Sequence, residues 1–151
     1  MPPVKKLVLS SLFAALIALL AQISIPLPFS PIPITGQTFG IFLVGSLLEG
    51  KWGAASVLIY ILLGAIGLPV FYQFQGGLHI IAGPTGGFLW GFILGCYLLG
   101  RIMEKNNSFT IMILGMFLCM GTYFTLGALY LAFVAGLNFH QALLLGVVPF
   151  I

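Results

Sequence analysis

Solid apolar blocks recur along this chain, and at about 20 residues each they match the hydrocarbon thickness of a bilayer. That feature constrains the fold more than any other. In lipid, every backbone N–H and C=O needs a partner within the protein, which leaves helices or a closed barrel. Barrel strands alternate apolar and polar residues. Blocks such as "LVLSSLFAALIALLA", from Leu7 to Ala21, do not alternate. The fold class is therefore all-α, a polytopic helical membrane protein. The charge content agrees, because 5% of the 151 residues are charged against about 25% in soluble domains. So few charges cannot cover a water-facing surface, and the chain needs a lipid bilayer around it.

Five spans are expected, at about residues 5–25, 36–49, 52–67, 84–103 and 108–136. The N-terminal block resembles a secretory signal but exceeds its ~7–15 apolar residues, and further spans follow it, so it is the first membrane helix. Pro26, Pro28, Pro31 and Pro33 interrupt the chain after it; proline lacks an N–H and disfavours helix before it. A second irregular segment runs from Pro69 to Gly83. The tail "LNFHQALLLGVVPFI" begins another helix. Residues 1–151 read as a single transmembrane domain without an internal repeat.

Lys5 and Lys6 at the start of the first span, Lys51 between the second and third, and Arg101 and Lys105 at the junction of the fourth and fifth all fall on one side of the membrane. The positive-inside rule makes that side cytoplasmic, with the N-terminus inside. Both irregular segments then face outside, and neither contains Lys, Arg, Asp or Glu. The pI near 9.1 rests on these scattered residues, so no nucleic-acid partner is expected. Cys96 and Cys119 lie deep in apolar runs and read as small buried hydrophobes. No nucleophile–base pair, phosphate loop, metal-ligand spacing or intramembrane acid is present. The chain is expected to be no enzyme, with no cofactor and no metal.

The two uncharged loops invite a binding role. The first offers Thr35, Gln37 and Thr38; the second offers Tyr72, Gln73, Gln75 and His79, and Phe29, Phe39, Phe71, Phe74 and Trp90 lie nearby. Neutral hydrogen-bonding groups among aromatics suit a small organic ligand with an apolar body. In "GGLHIIAGPTGG", Pro84 and Thr85 stand where the fourth span starts. Thr85 could cap the helix, whose N–H groups favour an anion, with Gly86 and Gly87 leaving room for its approach. An ordinary loop-to-helix junction explains the same residues. His79 could touch a ligand or simply be solvated. Gly87, Gly91 and Gly95 read as a close-packing stripe. Ala14 and Ala18 have the same spacing, with Ser10 and Ala21 near, and suit internal packing or partner docking equally.

At "PIPITGQTFG", "LLGAIGLPVF" and "GPTGGFLWGF" the sequence resembles the BioY family, the substrate-capture (S) components of energy-coupling-factor biotin transporters. The likeness extends to "ALLLGVVPF"; Gly36 before Gln37 and the "FYQFQGGLH" loop depart from the pattern. The resemblance implies a six-helix S-component fold in the plasma membrane that binds biotin from outside. It implies partners too: a transmembrane coupling subunit and two cytoplasmic ATPase subunits. It moves Ala14 and Ala18 toward docking. It draws Gly76, Gly77, His79, Gly83, Thr85, Gly86 and Gly87 toward the substrate site, with Thr35, Gln37 and Phe71. Family members continue past "PF" to a sixth helix, so five helices of six are expected here, with part of the pocket wall absent. An S component for another small vitamin, a self-sufficient secondary transporter and a degenerate fragment are the alternatives.

Overall fold

Helix α1 spans Pro3–Ala21 in the computed structural model, which describes residues 1–151. A two-residue hairpin follows, β1 at Ser24–Ile25 and β2 at Ile34–Thr35, antiparallel with Ser24 opposite Thr35. Then come α2 (Gln37–Leu47), α3 (Gly50–Ala65), short α4 (Leu78–Ala82), α5 (Gly86–Lys105), α6 (Phe109–Ala135) and α7 (Phe139–Gly146). Helix α6 stops at Gly136, whose left-handed φ of 64° suits a residue without a side chain. Asn138 and Gln141 then form a capping box that starts α7.

Three helices are long and apolar enough to cross a membrane: α1, α5 and α6, with 19, 20 and 27 residues. Helices α2 and α3 have 11 and 16 residues, so at about 1.5 Å per residue α2 is roughly half a ~30 Å crossing. The first expected span also ends four residues early. Residues expected in helix there are used by the hairpin, where Gly36 N–H bonds Ile23 O at 2.8 Å.

Helix α5 is the centre of the bundle, with 61% of its apolar window buried against 22% for α1 and 17% for α6. Its glycines explain how neighbours come so near. A side chain at Gly91 would stand 2.5 Å from Tyr123 Cα, and one at Gly95 would stand 2.8 Å from Cys119 Sγ. The glycine stripe is thus the α5–α6 seam. At Gly100 the neighbour is Gly50 of α3, 2.6 Å from where a Cβ would sit.

All seven charged side chains belong to one end. Lys6 of α1 pairs with Glu49 before α3 at 2.6 Å, and Arg101 pairs with Glu104 of α5 at 2.6 Å. Glu104 also accepts the Gly50 N–H at 2.7 Å. A carboxylate there caps α3 from another helix, matching the positive end of its dipole. The Lys6 hydrogen bond holds the Glu49 carboxyl below its ordinary value of 4.5.

Candidate functional site

The opposite end contains a cavity of about 320 Å³, in the size range of small-molecule sites. Both irregular segments build it. The first supplies Ile32, Pro33, Ile34 and Thr35, continuing into Gln37 and Thr38 of α2; the second supplies Phe71 and Tyr72. Helix α5 adds Phe88, Leu89 and Phe92, preceded by Thr85, while α6 adds Met120, Tyr123 and Phe124. Ile80 and, near the chain end, Pro149 and Phe150 complete the wall. No Lys, Arg, Asp or Glu lines it.

Neutral bonds hold the wall in place. Thr35 Oγ1 donates to Gln37 Oε1 at 3.2 Å, and Gln37 Nε2 donates to the buried Tyr60 hydroxyl. Gln37 is 6% exposed and Tyr60 not at all; buried amides need such partners because an unpaired one costs about 1–3 kcal/mol. Tyr60 also meets Phe71 edge-on at 5.5 Å. Ser30 Oγ donates to Leu145 O at 2.5 Å, tying the first loop to α7. Opposite lies an aromatic run: Phe92 to Tyr123 at 4.9 Å, Tyr123 to Phe124 at 4.7 Å, Phe124 to Phe150 at 5.8 Å.

Of the residues expected at a substrate site, Thr35, Gln37, Phe71 and Thr85 line this cavity. The other expected substrate residues do not line the cavity. His79 is exposed on α4. A Cβ at Gly76 would meet Leu68 O, and one at Gly83 would lie 2.8 Å from His79 O. Gly77 adopts φ 111° and donates to Gly64 O at 2.6 Å. A Cβ at Gly86 would strike Ile81 O, and one at Gly87 would strike Tyr130 and lie 2.8 Å from Leu126 O. The space beside these glycines is taken by neighbouring backbone and side chains.

The start of α5 is likewise covered. Thr85 makes no capping bond; its hydroxyl donates to Ile80 O at 3.3 Å, and Gly86 N–H donates to Gly83 O at 3.0 Å. The first N–H of α5 is thus taken by the preceding loop. Phe29, Phe39, Phe74 and Trp90 are exposed and lie outside the cavity wall. On α1, Ala14 is 1% exposed with Ser10 and Ala21 at 0%, and Ser10 Oγ donates to Trp52 O at 3.1 Å. Ala14 faces the interior of the bundle, and Ala18 is half-buried. Phe88, Phe92, Met120, Tyr123 and Phe124 escaped the sequence reading. Within apolar spans they carry no signal that separates a cavity wall from a core.

The sequence profile described as the BioY family matches residues 1–151. The chain belongs to the BioY family. It is 42% identical over 147 residues to the biotin transporter BioY of Thermotoga maritima, covering 97% of this chain and 85% of that one. It is 41% identical over 148 residues to the biotin transporter BioY of Rhizobium etli, covering 91% and 79%. Among solved structures it resembles the S-component for biotin from an ECF-type ABC transporter. The TM-score there is 0.88 at 30% identity, covering 99% of this chain and 85% of that one. Both BioY relatives are transporters by name. The helical fold and the S-component architecture of this BioY chain thus agree with the sequence reading.

Proposed function

We propose that this chain is the membrane subunit that captures biotin, taking it from outside the cell membrane into the cavity beneath the two uncharged loops. It then hands biotin to an energy-coupling module, a transmembrane coupling subunit driven by two cytoplasmic ATPases. The observation that carries this reading is the cavity itself, neutral and aromatic, in a member of the BioY family. Biotin has a ureido ring, an apolar chain and a carboxylate. Thr35, Gln37, Thr38 and Thr85 offer neutral groups for the ring, and Phe71, Phe92 and Phe124 offer apolar surface for the chain. No cation lines the wall, so the carboxylate stays toward the mouth and its water.

In this reading residues 1–151 act as one domain with the N-terminus in the cytoplasm, since every basic residue gathers at the end away from the cavity. Two measurements test it. Radiolabelled biotin should bind the purified chain saturably; no saturable binding would remove the proposed ligand. A Gln75→Cys variant should react with an impermeant thiol reagent added outside intact cells, Cys96 and Cys119 being buried. Labelling from the cytoplasmic side alone would reverse the orientation.

A further inference from the structure

Gln22 lies just past α1, is absent from the cavity wall, and ties the second loop down. Its Nε2 donates to Ala18 O at 2.9 Å on its own helix, and to Val70 O at 3.3 Å and Phe71 O at 3.0 Å across the gap. Its Oε1 accepts the Phe74 N–H at 2.8 Å. A carboxamide suits this place because its NH₂ has two N–H donors and its oxygen is a separate acceptor.

The loop it clasps needs holding. Gln73 and Phe74 sit at φ 53° and 57°, a left-handed conformation that Cβ-bearing residues adopt with difficulty. Phe71 N–H bonds Gln75 O at 2.9 Å and Gln75 N–H bonds Tyr72 O at 3.2 Å, closing a tight ring around that pair. The Phe71 ring is 1% exposed against Tyr60 and Gly64, a fixed pivot. Tyr72 beside it is half-buried in the cavity wall. Tyr72 is thus the wall residue next to the clasped turn, and Phe71 is its buried anchor.

We propose that Gln22 is a positioning residue, a latch that holds backbone 70–74 in place. By fixing Tyr72 in the wall it sets how fast a ligand enters and leaves. The second half of this statement rests on the cavity being the biotin site. The test uses the whole chain in lipid nanodiscs with Gln22→Met, equal in length but unable to make these bonds. Without ligand, amide exchange across 70–77 should rise about tenfold, the order expected for a lost hydrogen-bonded clasp, while α5 and α6 keep parent rates. With radiolabelled biotin, association and dissociation should both quicken about tenfold, leaving affinity less changed. Should Gln22→Met fail to fold, Gln22→Glu reads the donor half alone, because it keeps an acceptor for Phe74 N–H and loses both donors. Unchanged exchange at 70–77 would overturn the latch, as would a rise spread equally through α5 and α6. Faster loop exchange with unaltered biotin rates would overturn its control of access. If the parent binds no biotin, the biotin reading fails and loop exchange alone decides the latch.

Discussion

At one end of the bundle Lys6 reaches Glu49 and Arg101 reaches Glu104; at the other, Gln22, Ser30 and Gln37 make bonds between neutral groups. The first end is wet, and its ion pairs are partly exposed and open to screening. The second buries its polar atoms, so each must be satisfied within the protein. A chain with seven charged residues has spent all of them on one end, which leaves the other free to enclose a ligand without fixed charge. Helix α5 joins the two, carrying Arg101 and Glu104 below and Phe88 and Phe92 above.

The most damaging way to test this division is at the α5–α6 seam between the ends. Gly91→Leu drives a side chain into the Tyr123 backbone, and the expected loss is about 3 kcal/mol, the upper part of the overpacking range. Yield of monodisperse protein and its thermal midpoint report it, and biotin binding should fall with them because Tyr123 also lines the cavity. A folded, binding-competent variant would break the claim that the α5–α6 seam requires a glycine at this position.

A smaller effect is expected on α1. Ala14→Leu overfills a buried position, at about 1–3 kcal/mol, whereas Ala15→Leu on the exposed face should stay within about 0.5 kcal/mol. Thermal midpoints in detergent compare them. If Ala14→Leu melts like the parent yet no longer co-purifies with a coupling subunit, the docking role implied by the family resemblance is supported.

The smallest effect belongs to the charged end. Lys6→Ala removes the group that holds Glu49 acidic, and biotin affinity should not change. Because the Glu49 pKa is lowered on folding, its contribution is present above the ordinary 4.5 and disappears as pH falls through the folded value. The parent's thermal midpoint should therefore drop on acidification below that range slightly more than that of Lys6→Ala. Identical pH profiles would show that the pair contributes nothing.

Much of the architecture was legible because lipid permits few solutions. Hydropathy gave the helices, prolines gave the two loops, and five basic residues gave their common end. Helix ends were less legible: α1 stops at Ala21, four residues before its expected end, where the hairpin takes over the backbone hydrogen bonds. In the site, neutral residues in an uncharged loop stood out, and Thr35, Gln37, Thr38 and Tyr72 do line the cavity. The glycines of "GGLHIIAGPTGG" were ambiguous because a missing side chain serves a ligand's approach and a neighbouring backbone equally. Only coordinates reveal that Ile81 and Tyr130 fill the space beside Gly86 and Gly87. Gln22 was invisible for a related reason: its partners are backbone atoms of residues 70, 71 and 74, which no side-chain pattern announces.

The central claim is that biotin sits in the neutral cavity between the loops. Thr38 lines that space from α2, and Thr38→Trp would fill much of it without touching the seam glycines or the charged end. Equilibrium binding of radiolabelled biotin to parent and variant, each checked by its thermal midpoint, tests the claim most directly. The parent should bind saturably, and Thr38→Trp should lose on the order of a hundredfold or more in affinity, roughly 2.7 kcal/mol, at unchanged thermal midpoint. Equal affinity in the two folded proteins would contradict that claim and move biotin to another part of the molecule.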